Sequence, residues 1–145
     1  SRLDTLQAAI LSIKLKAFKT YEVEAVNEIA TEYSKLLSNI VRTPLIPEGF
    51  YSSWAQYTIK LSNKETRDAL QNMLRSYNIP TMVYYPKPMH KQTAFRLNSD
   101  YSFDCSITEK LCDTVLSLPM HPYLKGDDIE LVASKIKEYF DQERI

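Results

Sequence analysis

The stretch Ser53-Trp54-Ala55-Gln56-Tyr57-Thr58-Ile59-Lys60-Leu61, followed at once by Ser62-Asn63-Lys64-Glu65, sets the fold class. Ala55, Tyr57, Ile59 and Leu61 fall on one side of an extended chain; Trp54, Gln56, Thr58 and Lys60 fall on the other. Period-two alternation of this kind marks a strand with one face buried. The next four residues read as a capping box, in which side chains satisfy the free backbone donors of a helix start. The helix so launched runs to about Tyr77 and buries Leu70, Met73 and Leu74.

Downstream, Thr81 to Tyr85 is a second strand of β-branched and aromatic residues, ended by Pro86 and Pro88. The stretch from His90 to Asp104 reads as irregular. Ser106-Ile107-Thr108-Glu109 repeats the capping-box pattern and opens a short helix, and Val115 to Leu118 is a third strand closed by Pro119. A last helix spans about Asp127 to Gln142, with Ile129, Val132, Ile136 and Phe140 inward.

Upstream, Thr43-Pro44-Leu45-Ile46-Pro47-Glu48-Gly49 excludes regular helix through its prolines and glycine. Before it lie two helices, Arg2 to Phe18 and Tyr21 to Ser38, with Thr20 as a candidate N-cap between them. Leu3, Leu6, Ile10, Ile13 and Ala17 form the first apolar stripe; Val23, Val26, Ile29, Tyr33, Leu36 and Leu37 form the second. The chain opens directly on a helix, so we expect a separated upstream portion, with both helices leaning on a partner domain or subunit.

This order predicts an α+β domain: a small three-stranded, antiparallel sheet with helices on one face and Tyr57, Ile59, Val83 and Leu118 in the core. A parallel sheet with right-handed crossovers is the alternative. Residues 1–145 form one domain, of which 1–40 are the helical lead-in.

Composition narrows the function. Apolar residues make up 44% and charged residues 25% of 145, a globular balance with no run long enough for a membrane span. Lys+Arg and Asp+Glu stand at 18 each, so no basic field exists to hold a nucleic acid or an anionic membrane. Two cysteines, Cys105 and Cys112, read as free thiols of a cytoplasmic protein, with Cys112 on an apolar helix face. Two glycines are too few for a phosphate-binding loop.

No catalytic set assembles from these residues, and the two histidines, His90 and His121, lack acidic or cysteine companions at ligand spacing. The most site-like segment is Val83-Tyr84-Tyr85-Pro86-Lys87-Pro88-Met89-His90-Lys91-Gln92. Its polar tips follow a strand, its prolines restrict the backbone, and its donors suit an oxygen-rich ligand. A surface loop with tyrosines packed on their ring faces is the alternative. Arg2 is the second candidate, because a cation at a helix start opposes the dipole; a solvated side chain is the alternative.

Four ordered motifs carry a resemblance that spans nearly the whole chain: Arg2-Leu3-Asp4-Thr5-Leu6-Gln7-Ala8-Ala9-Ile10-Leu11, Ala55-Gln56-Tyr57-Thr58, Ile79-Pro80-Thr81 with Tyr84-Tyr85-Pro86-Lys87-Pro88-Met89-His90, and Leu116-Ser117-Leu118-Pro119-Met120-His121-Pro122-Tyr123-Leu124. Together they resemble the C-terminal domain of nucleotide-sugar aminotransferases of the DegT/DnrJ/StrS family, fold type I. Within it they look most like enzymes that aminate a UDP-linked 3-keto-N-acetylglucosaminuronate for surface polysaccharide. The resemblance implies a homodimeric enzyme using pyridoxal 5'-phosphate, with glutamate as amino donor. It also implies that the Schiff-base lysine lies outside this chain, which alone would be silent and would not hold the cofactor. By the same resemblance Arg2 would meet a sugar carboxylate from the neighbouring subunit, and Tyr84 and Tyr85 would line the sugar site; from the donors of their segment, Lys87 and His90 are expected to bind substrate too, with Lys87 as the competing partner of the carboxylate. A sugar dehydratase of the same family, with histidine in place of that lysine, and a stand-alone binding module are the other readings.

Overall fold

The computed structural model describes residues 2–96 and 104–142. Helix α1 (Thr5–Ala17) passes through a π-helical turn (Phe18–Glu22) into α2 (Val23–Leu37). Strand β1 (Tyr57–Lys60), α3 (Lys64–Ser76), a 3₁₀ turn (Met89–Lys91) and the four-residue α4 (Thr93–Arg96) follow. Helix α5 (Ser106–Thr114), β2 (Val115–Leu118) and α6 (Gly126–Gln142) complete the order.

The sheet is α+β in setting but smaller than expected. Strands β1 and β2 pair antiparallel, with Tyr57 opposite Leu118 and Ile59 opposite Leu116. The expected strand Thr81–Tyr85 contributes one antiparallel bridge, Met82 to Ser117, closed by two hydrogen bonds of 3.1 and 2.8 Å. So the three-stranded expectation gives way to two strands with a single bridge on each side, the other being Arg42 to Lys60. Pro80 and Pro86 bracket the segment and offer no N–H, which limits how far a ladder can grow. The parallel alternative is excluded.

Alternate residues of the sheet sort cleanly. Tyr57, Ile59, Leu116 and Leu118 are buried against Tyr33 and Leu37 of α2, Leu70 and Leu74 of α3, and Ile129, Val132 and Ile136 of α6. Each such side chain contributes on the order of 1.5–3 kcal/mol relative to exposure. Val83, expected in the core, is half-buried against it, as are Met73 and Phe140. Tyr57 stacks at 5.1 Å on Tyr33 and 5.6 Å on Trp54, and its hydroxyl lies 2.8 Å from Ser34 Oγ.

β1 is shorter than its sequence alternation because Trp54 takes φ +45°, which breaks the extended run. Its indole N–H donates to Asn27 Oδ1 at 2.9 Å, holding that bend against α2. Helix starts also differ in detail. Asp4 caps α1, accepting from the Leu6 and Gln7 amides, so Arg2 lies before the helix. Asn63, not Ser62, caps α3 by accepting from the Thr66 amide at 2.8 Å. At α5 the Asp104 carboxylate takes the Ser106 amide at 3.0 Å, and the expected box with Glu109 does not form. Thr20 caps nothing; its hydroxyl donates back to the Lys16 and Ala17 carbonyls inside the continuous helix.

The apolar stripe of α1 is not buried. Leu6, Ile10 and Ile13 are exposed on one side, and Leu3, Leu11, Leu15 and Phe18 border a shallow hollow on another. A helix apolar on more than one side is shaped for cover on more than one side. Residues 90–104, read as irregular, contain the end of the 3₁₀ turn and all of α4, while 97–103 lie outside the described residues.

Candidate substrate-binding site

Helices α2, α3 and α6 pack on one face of the sheet, and Tyr84, Tyr85 and Lys87 line a cavity with Thr58, Val115 and residues of α5. Opposed residues in an antiparallel pair share a face. Thr58 and Ser117 are opposed, with their hydroxyls 2.8 Å apart, and Met82 is bridged to Ser117. Tyr84, two residues beyond Met82, stands at the border of two cavities on this face.

The first cavity, about 420 Å³, is lined by Tyr84, Tyr85 and Lys87 of the loop, by Thr58 and Val115 of the strands, and by Leu111 with Cys112 of α5. The second, about 350 Å³, lies on the other side of Tyr84 and is lined by Gln56, Thr81, Ser117 and His121. Tyr84 and Tyr85 meet edge to face at 5.9 Å, and both rings are exposed. The peptide between them is cis.

His90 is placed differently from its expectation. Its Nε2 lies 2.9 Å from Glu109 Oε1, and Lys91 Nζ lies 2.5 Å from Glu109 Oε2. His90 therefore ties the loop to α5 and does not line either cavity. The Lys91 ammonium and then the His90 ring hold the Glu109 carboxyl below its ordinary value. Pro88, between Lys87 and the 3₁₀ turn, is buried.

Arg2 is exposed ahead of α1 and lines neither cavity. The structure thus brings together Tyr84, Tyr85 and Lys87, with His90 as an anchor beside them, and leaves Arg2 apart. Glu109, Gln56 and His121 escaped the sequence reading. Glu109 looked like a capping acid, and His121 lacked companions at ligand spacing.

The closing loop is tied to the start of the chain. Tyr123 donates its hydroxyl to Glu22 Oε1 at 2.5 Å, and Lys14 Nζ lies 2.6 Å from the same oxygen. Glu22 is buried, and the Lys14 ammonium followed by the Tyr123 hydroxyl holds its carboxyl below the ordinary value. The Tyr123 phenol is pushed up to about 12, chiefly by donating to that carboxylate.

Neither cavity fits pyridoxal phosphate as a covalent group. The first holds one lysine, Lys87, with no carboxylate in its lining to pair with a pyridine nitrogen; the second holds neither. Among the described residues, no helix is long and apolar enough to cross a membrane.

Residues 1–137 match the model of the DegT/DnrJ/EryC1/StrS aminotransferase family. Over 137 residues the chain is 38% identical to the UDP-2-acetamido-2-deoxy-3-oxo-D-glucuronate aminotransferase of Pseudomonas aeruginosa, covering 94% of this chain and 36% of that protein. Over 144 residues it is 38% identical to a pleiotropic regulatory protein of Geobacillus stearothermophilus, covering 97% of this chain and 38% of the other. The structure superposes with a TM-score of 0.86 on a DegT DnrJ EryC1 StrS aminotransferase from Brucella abortus, at 40% identity, covering 96% of this chain and 36% of that one. The chain therefore spans little more than a third of the relatives it matches. By the family match across most of its length, this chain belongs to the DegT/DnrJ/EryC1/StrS aminotransferases.

Proposed function

We propose that this chain is the substrate-facing small domain of a pyridoxal-phosphate aminotransferase that moves an amino group from glutamate to a nucleotide-linked keto-sugar for surface polysaccharide synthesis. One observation carries the reading: a loop pinned through Glu109 brings Tyr84, Tyr85 and Lys87 around a cavity of about 420 Å³ between the sheet and α5. Phenol hydroxyls and an ammonium suit sugar oxygens and an anionic substituent. The 38% identity to a uronate aminotransferase favours a 3-keto uronate as that substrate.

Neither of the two cavities described suits the cofactor as a covalent group, so we assign its covalent anchor and phosphate contacts to the remaining two thirds of the enzyme. Residues 1–145 act as one small domain, with 1–40 as the helical lead-in to the large one. A homodimer suits this arrangement, because Arg2 from a second copy could then reach a sugar carboxylate that its own cavities leave to Lys87. Cytoplasmic residence agrees with two free thiols.

The test is amino transfer by the full-length enzyme, supplied with glutamate and a UDP-linked 3-keto uronate, followed by 2-oxoglutarate release and by mass of the sugar product. Stoichiometric 2-oxoglutarate and amino sugar are expected. Water loss from the sugar without 2-oxoglutarate would make the enzyme a dehydratase, and no turnover with any keto-sugar nucleotide would end the reading.

A further inference from the structure

The loop after β2 is strapped at two points. Tyr123 reaches through its hydroxyl to buried Glu22, which Lys14 also holds, so the loop is tied to the π-helical turn. The backbone N–H of the same Tyr123 donates to Nδ1 of His121 at 3.3 Å, and the two rings stand 6.5 Å apart, tilted by 37°. A backbone amide can only donate, so Nδ1 must offer its lone pair. A neutral imidazole with that lone pair free carries its proton on Nε2. Among the described residues this Nε2 has no hydrogen-bond partner, and the ring lines the second cavity beside Tyr84.

The chemistry of that cavity is selective. Gln56, Thr81, Ser117 and Tyr84 offer amide and hydroxyl groups, and its lining has no lysine, arginine or carboxylate. Anionic substituents find their cation in the neighbouring cavity at Lys87. A neutral hydroxyl-bearing ring fits the uncharged one.

We propose that His121 is a specificity-determining hydrogen-bond donor, fixed as the Nε2–H tautomer, that reads a hydroxyl or carbonyl oxygen of the sugar ring. Tyr123 and Glu22 act as positioning residues behind it. The proposal rests on the sugar-nucleotide reading given above.

Two measurements decide it. In this chain labelled with ¹⁵N-histidine, long-range ¹H–¹⁵N correlation near neutral pH reads the tautomer directly. Nε2–H is expected for His121, and Nδ1–H or a mixture overturns the assignment. In the full-length enzyme, His121→Gln restores an N–H near the Nε2 position, whereas His121→Asn places one near Nδ1. We expect kcat/KM for the keto-sugar nucleotide to fall about tenfold in His121→Ala and His121→Asn, the rate equivalent of one lost hydrogen bond, and to recover largely in His121→Gln. The glutamate half-reaction should not change in any of the three. An active wild type with His121→Ala as good overturns the role of His121 alone. A wild type that forms no amino sugar overturns the sugar-site reading and this proposal with it.

Discussion

His90 Nε2 lies 2.9 Å from Glu109 Oε1, joining the loop that carries Tyr84 and Tyr85 to the middle of α5. Lys91 takes the second oxygen of the same carboxylate, so one acid holds two successive residues of the 3₁₀ turn. The loop is thereby tied to α5 from its C-terminal side.

Removing that acid should loosen the loop without unfolding the domain. In Glu109→Gln the amides of Met89 to Gln92 should exchange faster with solvent, while the denaturation midpoint hardly moves, as expected for partly exposed ion pairs. Acid should do the same to the wild type. The folded carboxyl titrates below its ordinary value of 4.5, so its contribution is complete above that pH and disappears as pH falls through the lower, folded value. Exchange that is independent of both pH and the substitution would show the loop to be held otherwise.

A buried arginine should matter more. Arg67 of α3 is 4% exposed and donates through one terminal nitrogen to the carbonyls of Cys112 at 3.1 Å and Val115 at 3.3 Å, while its Nε pairs with Asp68 at 2.6 Å. It thus closes the corner where α5 becomes β2. Arg67→Ala strands buried acceptors at about 1–3 kcal/mol each, so a loss of about 2–4 kcal/mol is expected from urea unfolding. Arg67→Lys should recover only part, since a single ammonium cannot reproduce the fork. A loss below about 0.5 kcal/mol, the level of ordinary surface substitutions, would show that the corner holds without it.

Most of the core was legible because burial follows period. Tyr57, Ile59 and Leu118 alternate, and Val26, Ile29 and Tyr33 keep helical spacing, so each declares its inward side. Side-chain competition was not legible. Thr20 and Glu109 are both residue types that cap helices, yet Thr20 bonds backward within a π turn and Glu109 is drawn to two cations distant in sequence. The third strand failed for a related reason. Composition at Thr81–Tyr85 favours a strand, but the ladder depends on donors that the flanking prolines lack. At the site, tyrosines and Lys87 announced themselves as a cluster, whereas His121 gained a role only when Tyr123 folded back beside it.

The uncovered apolar sides of α1 should drive association of this chain when it is alone. Leu6 is 71% and Ile13 75% exposed, with exposed Ile10 between them on the same helix side. A contiguous patch of that kind is a contact surface. Sedimentation should show concentration-dependent self-association, and Leu6→Lys with Ile13→Lys should shift the chain toward monomer with little change in its unfolding. A monomer at high concentration that binds no apolar dye would count against the surface.

The last prediction sets Arg2 against Lys87 as the partner of a sugar carboxylate. Lys87 lines the 420 Å³ cavity beside Tyr84 and Tyr85, so it can meet an acid group from within the same chain. Arg2 lies before α1, apart from both cavities, and on the reading proposed above would do so from a second copy of the chain. A guanidinium binds a carboxylate through two parallel hydrogen bonds, whereas an ammonium acts as a point charge on a flexible stem. In the full-length enzyme, loss of a desolvated partner should cost about 2–5 kcal/mol in kcat/KM on a uronate, and much less on a neutral keto-sugar that has no charge to strand. Tyr85→Phe removes one neutral hydrogen bond and should cost about 0.5–1.5 kcal/mol on both substrates. If Arg2→Ala shows the uronate-selective loss and Lys87→Ala does not, the carboxylate is read across the dimer. The reverse result places recognition within one chain and reduces Arg2 to support of the helix start. Equal losses on charged and neutral sugars in both variants would remove the physical basis for a uronate substrate.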